Sequence, residues 1–226
     1  MKFSQQIKYD DHPDLAEKLR MFRGQIKKYE VFITLLYDGF ICDSLFFPDI
    51  TQLRHIIDQL FAGLGELIRA NKCHNDLKPT NILYRCQNNI YSIKIGDFAQ
   101  CGTNGGTPGW TAPVFIKRRQ PGKEDMYSIG LIILRLLCLN QQLFHCLRDN
   151  FVKDADINQH WMINFKNMTE IKFITKMIDL DNQLTYCEVI NEWEQIKSSV
   201  RLIDAPRLLQ LSVPRQYMQT QYQHTE

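Results

Sequence analysis

Cys73-His74-Asn75-Asp76-Leu77-Lys78-Pro79-Thr80-Asn81-Ile82-Leu83 gathers a carboxylate, a cation and an amide between Asp76 and Asn81, and Asp97-Phe98-Ala99 follows it. Phosphoryl transfer calls for this set of groups. A carboxylate orients the attacking hydroxyl, a lysine holds the moving phosphate, and amide and carboxylate oxygens take magnesium.

The flanking residues place this segment in a mainly helical context. Upstream, Leu53, Ile56, Ile57, Leu60, Phe61, Leu64, Leu67 and Ile68 recur at three- and four-residue spacing, which predicts an amphipathic helix over 50–71. Asp49 with Gln52 three positions later reads as its capping box. Downstream, 81–85 and 91–95 read as two short strands turning at Asn88-Asn89. The run from Asp125 to Leu139 is apolar on nearly every side, as a helix buried on all faces must be. Further helices are expected near 170–180 and 186–200. The β-rich run 29–37 predicts a strand that ends in a turn at Asp38-Gly39.

Composition bounds the remaining possibilities. A chain of 226 residues, 44% hydrophobic, can bury one substantial core, and a net charge of +2 gives no pull toward nucleic acid or an acidic membrane surface. Seven scattered cysteines without a C-x-x-C pair suggest neither a disulfide framework nor a zinc site, and they fit a reducing, cytoplasmic setting. The N-terminus has no apolar signal core, and the longest apolar run is too short to span a bilayer. The glycines at 102, 105, 106 and 109 lack the Gly-Lys-Ser/Thr continuation of a phosphate-binding P-loop. The tryptophans read as packing anchors.

The segment at 73–83 resembles the catalytic loop of eukaryotic protein kinases of the serine/threonine type, His-Arg-Asp-Leu-Lys-Pro-x-Asn. Asp97-Phe98-Ala99, Gly106 to Pro113 and the Asp-x-Tyr-Ser-x-Gly pattern from Asp125 follow in the family's order, and the likeness runs from about Tyr29 to Ser198. It implies an α+β, mainly helical fold: the large C-terminal lobe of a kinase with a remnant of the small β lobe. Remnant strands and hinge would occupy 1–40, the large lobe 41–205, and a polar tail 206–226.

The resemblance also assigns roles. Asp76 is the base-like carboxylate facing the cleft, and Lys78 the phosphate-facing cation. Asn81 and Asp97 are magnesium ligands. Leu83 is the floor beneath adenine, with hinge residues Leu35, Leu36 and Tyr37 beside it. Thr107 lies on the substrate side, and His74, Phe98 and Asp125 are structural. ATP and Mg²⁺ are the implied cofactors.

Three departures qualify these roles. Asn75 replaces the arginine that pairs a phosphorylated activation loop, Ala99 replaces the glycine of Asp-Phe-Gly, and Val114 replaces a glutamate whose arginine partner is here Gln183. Only seventy-three residues precede His74, and they show no glycine loop or strand lysine. The expectation is therefore a pseudokinase-type scaffold or binding subunit with a weak or absent ATP site, covered by another protein on its small-lobe side, where an incompletely paired two-stranded edge lies exposed. Two alternatives remain: a serine/threonine kinase whose small lobe is supplied by another chain or omitted from the gene model, and a decoy inhibitor of a full kinase. Neither nucleic acid nor membrane is an expected partner.

Overall fold

The computed structural model describes residues 37–43, 46, 48–103, 106–112, 122–138, 141–152, 168–179 and 181–198, which belong to one compact unit that starts at Tyr37. In chain order these form β1 (Gly39–Phe40), α1 (Ile50–Arg69), β2 (Ile82–Gln87), β3 (Ile90–Ile95), α2 (Lys123–Leu137), α3 (Gln141–Val152), α4 (Thr169–Ile178) and α5 (Tyr186–Ser198). Helices dominate and the sheet is small, as expected for a kinase-type large lobe with a β remnant. The strand reading at 29–36, with Leu35 and Leu36, lies outside the described residues, as do Val114, Trp161 and the tail at 206–226.

Asp49 starts α1 as its sequence foretold. Its side chain accepts from Gln52 N at 2.8 Å while Gln52 Oε1 accepts from Asp49 N at 2.6 Å. The helix then buries Leu53, Ile56, Ile57, Leu60, Phe61, Leu64 and Leu67. Centrally, α2 buries almost every side chain from Glu124 to Leu134. At Gly130 it meets α4: a Cβ there would stand 2.9 Å from Ile178 Cγ2 and 3.2 Å from Met177 Cβ, so only glycine permits this approach. From the far end of the chain, α5 closes onto α1. Tyr186 donates to Phe61 O at 3.1 Å and Trp193 Nε1 to Asp58 Oδ1 at 2.6 Å, with Lys197 Nζ 2.9 Å from the same oxygen. Trp193 packs against Phe61 and Phe173, as a core anchor does.

The sheet corrects two expectations. It has three strands in the order β1-β2-β3, all antiparallel, because Gly39 and Phe40 extend opposite Tyr84 and Leu83 instead of turning. The turn comes afterwards, closed by Asp43 N donating to Phe40 O and Phe40 N to Asp43 Oδ2. The hairpin joining β2 to β3 does turn at Asn88-Asn89, with φ of 51° and 62°. Asparagine tolerates this left-handed conformation better than most residues.

The expected open edges are also largely closed. Along the outer side of β2, Tyr84 O accepts from Asp38 N at 2.9 Å, Ile82 O accepts from Ile41 N at 3.0 Å, and Cys86 N donates to Asp38 Oδ2 at 2.6 Å. On the outer side of β3, Gln59 of α1 acts as a one-residue strand. Its Nε2 donates to Tyr91 O at 3.0 Å and its Oε1 accepts from Ile93 N at 2.9 Å. A primary amide carries the same donor and acceptor as a peptide group, and so satisfies both.

Removing that amide strands a backbone donor and acceptor in a half-buried seam. Gln59→Leu is expected to lower stability by about 1–2 kcal/mol and to accelerate hydrogen exchange at Ile93. Denaturant melts read beside exchange rates check this, and wild-type exchange at Ile93 in the variant would refute the edge-closing role.

Candidate catalytic loop and metal site

The loop from Cys73 to Asn81 has no regular structure of its own, and one buried carboxylate shapes it. Asp125, in the first turn of α2 and fully shielded from solvent, accepts from His74 N at 2.7 Å through Oδ2 and from Asn75 N at 2.9 Å through Oδ1. Burial pushes its pKa up, and the two backbone donors and the neighbouring His74 pull it part of the way back. His74 is buried, with Nε2 2.9 Å from Gly96 O and its ring tilted against Phe98 at 4.8 Å between centroids. The loop is thus fastened to α2 below and to the Asp97 segment beside it.

With the loop so held, Asp76, Lys78, Asn81 and Thr107 form a closed network. Thr107 Oγ1 donates to Asp76 Oδ1 at 2.6 Å. Lys78 Nζ lies 2.9 Å from Asp76 Oδ2 and donates to Thr107 Oγ1 at 2.7 Å. Asn81 Nδ2 donates to Asp76 O at 2.8 Å and to Oδ2 at 3.2 Å. Asp76 does not open freely onto a cleft as expected: it is only 7% exposed, because these three partners roof it. Burial raises its pKa, but the hydrogen bonds from Thr107 and Lys78, the Lys78 charge and the Asn81 amide together outweigh this and hold the carboxyl below its ordinary value of 3.8. The charged form persists at neutral pH.

The remaining predicted site residues fall around this network. Asn81 O accepts from Gly96 N at 2.8 Å, which sets the residue before Asp97 against the loop. Asp97 is exposed and left-handed, at φ 56° and ψ 71°, with Oδ1 3.4 Å from Ala99 N. Such strain in a non-glycine residue is a mark of functional sites. Ala99 takes up negative φ in the 3₁₀ turn Phe98–Gln100, so its extra Cβ is accommodated without strain. Leu83 is half-buried on the sheet face it shares with Phe40, and Tyr37 is half-buried before β1.

Asn81 and Asp97 are the residues that would hold magnesium, and their oxygens fit it. Asn81 turns its Nδ2 onto Asp76, which leaves Oδ1 without a donor among the described residues, and Asp97 presents its carboxylate to solvent. Two hard oxygen donors suit an ion that completes its shell with water and substrate phosphates.

Elsewhere, Gln183 explains how the lobe dispenses with an arginine–glutamate pair. It is buried and donates through Nε2 to Lys123 O at 2.9 Å and to Met177 O at 2.6 Å, a neutral tie between α2 and α4. Trp110, on the loop that carries Thr107, stacks on Phe144 of α3 at 5.2 Å. Sequence reasoning missed the roles of Asp38, Gln59 and Asn75, whose partners lie on the backbone of distant segments and leave no local pattern.

Two outcomes follow from this geometry. Asp125→Ala is expected to cost about 1–3 kcal/mol by orphaning two buried N–H groups, which a thermal melt resolves; an unchanged Tm would refute the anchoring role. Because the folded-state pKa of Asp76 is depressed, its contribution to stability is complete above 3.8 and drains away as pH falls through the lower folded value. Thr107→Val should move its titration upward, and carbon-detected NMR of the carboxyl reads the shift directly.

Comparison with known proteins agrees with this architecture. Residues 35–203 match the sequence profile of the protein kinase domain. The chain is 25% identical over 226 residues to myosin light chain kinase A of Dictyostelium discoideum, an alignment covering 92% of this chain and 74% of that protein. It is 25% identical over 217 residues to calcium-dependent protein kinase 5 of Plasmodium berghei (strain Anka), covering 73% of this chain and 38% of the relative. Over 93 residues it is 36% identical to calcium/calmodulin-dependent protein kinase type 1 of Caenorhabditis elegans, covering 37% and 27%. The chain therefore spans most of the first relative's length but well under half of the others'. Among the described residues no helix is long and apolar enough to cross a membrane. With most of its length matched by the family profile, the chain belongs to the protein kinase domain family.

Proposed function

We propose that the chain is the hydroxyl- and metal-orienting lobe of a serine/threonine protein kinase that uses ATP and Mg²⁺, working in a cytoplasmic protein assembly. The observation that carries this reading is the closed Asp76–Lys78–Thr107–Asn81 network. It holds a carboxylate ionised and a cation alongside it, the pair needed to receive a hydroxyl proton and face a transferring phosphate. Asp76 would orient the serine or threonine hydroxyl and Lys78 would neutralise charge on the transferred group. Bound magnesium-ATP supplies the phosphoryl group and offsets its charge. Among the described residues none grips a triphosphate from above, and a small lobe supplied by another chain, seated on the sheet face that bears Leu83 and Phe40, would provide that grip.

A second reading, a pseudokinase-type scaffold or a decoy that occupies a kinase's partner, draws on the apolar exposure of that same sheet. Phe40 is 39% and Ile90 61% exposed, and large apolar side chains left in solvent suit a protein contact.

Radiolabelled phosphate transfer separates the two readings. The isolated 226-residue chain is expected to bind magnesium-ATP weakly and to give no detectable transfer to a serine/threonine peptide. The assembly purified with its partner should transfer phosphate, and Asp76→Asn should reduce that rate by about 10²- to 10⁴-fold. An assembly that stays silent, or one in which Asp76→Asn is fully active, overturns the catalytic reading in favour of the scaffold.

A further inference from the structure

Asn75 occupies a position with no obvious use for its side chain, yet that side chain is 4% exposed and strongly engaged. Its Nδ2 donates to Thr103 O at 2.7 Å and more distantly to Gln100 O at 3.3 Å, both in the segment that leaves Asp97. Its Oδ1 is buried and accepts no hydrogen bond. The amide is therefore oriented by those two carbonyls. The residue sits at φ 67°, a left-handed conformation that asparagine tolerates and β-branched or bulky residues resist. Three backbone bonds lie beside the amide: Gly102 N to Cys73 O at 3.1 Å, Thr103 N to Gln100 O at 3.0 Å and Cys101 N to Phe98 O at 3.0 Å. A Cβ at Gly106 would stand 2.8 Å from Asn75 O, so the backbone at Gly106 also comes close to this residue.

We propose that Asn75 is a positioning residue, a built-in clamp that holds the segment from Gln100 to Thr103, and through it Asp97, in place with no phosphate on the loop. The donors are uncharged and point at main-chain oxygens, so their hold does not depend on any side chain of the segment or on its modification state. The proposal deepens the kinase reading of the same site, but its central test needs no nucleotide and so stands or falls separately.

Asn75→Gly removes the amide and keeps the left-handed backbone accessible, which isolates the clamp from backbone strain. Hydrogen exchange at Cys101, Gly102 and Thr103 should accelerate by about tenfold or more, while amides within the central helix α2 keep wild-type protection as the control for folding. Phosphatase treatment of the wild-type chain should leave protection at the three amides unchanged. Asn75→Asp, which places acceptors against acceptors, should behave like the glycine variant. Wild-type exchange rates in Asn75→Gly overturn the clamp, and loss of protection on phosphatase treatment overturns its independence of phosphate. Relaxation enhancement by Mn²⁺ reads the link to Asp97: the manganese titration of Asn75→Gly should require several-fold more metal than wild type, whereas a purely structural role would leave it unmoved. Failure of manganese to bind the wild type would count against the metal-site reading and leave the exchange result to judge the clamp.

Discussion

The bonds from His74 and Asn75 N–H to the Asp125 carboxylate are the constraint on which the site depends. The two partners stand about fifty positions apart in sequence, so this carboxylate turns an irregular loop into a fixture of the most buried helix in the lobe. Desolvating a carboxylate is costly, and two backbone donors plus a neighbouring imidazole are what make its ionised form tolerable there. Everything functional is then built upward. His74 reaches Gly96 and Phe98, Asn81 reaches Gly96 N and the Asp76 carboxylate, and Lys78 and Thr107 close over the top. Few of these side chains would hold their positions alone.

Around that anchor the protein repeatedly uses neutral side-chain amides where charge or further secondary structure could have served. Gln59 completes a sheet edge, Gln183 ties two helices where a buried ion pair is expected, and Asn75 holds the segment after Asp97. An amide avoids the desolvation penalty of a buried ion and still offers two donors and an acceptor. Its grip is correspondingly insensitive to salt, and it does not titrate. The regulatory handles of this lobe are therefore not to be sought in these ties.

Much of this architecture was legible in the residues. Apolar spacing located α1, and Asp49 with Gln52 marked its first turn, because both signals are local. The continuous apolar run marked α2, and Asn88-Asn89 marked the hairpin, since few residues accept positive φ at consecutive positions. The candidate set from Asp76 to Asn81 could be read because its members fall within six residues. What escaped was non-local. Gly39 and Phe40 resemble a turn until β2 offers them partners, α3 lacks the strong amphipathic stripe of α1, and Asp76 seemed accessible because Thr107, which roofs it, is 31 positions away. Tertiary pairing overrode local propensity in each case.

The fastening of α5 onto α1 governs how the chain can be made. Trp193 and Tyr186 reach back 135 and 125 positions to Asp58 and Phe61. During synthesis the stripe on α1 that they cover stays open for roughly 7–27 s at ordinary elongation rates. For most of that interval Phe61 lacks both Phe173 and Trp193, its aromatic partners in the finished core. A nascent chain with such a stripe exposed is the kind of client that holding chaperones recognise, and a ribosome pausing before codon 186 would prolong its vulnerability.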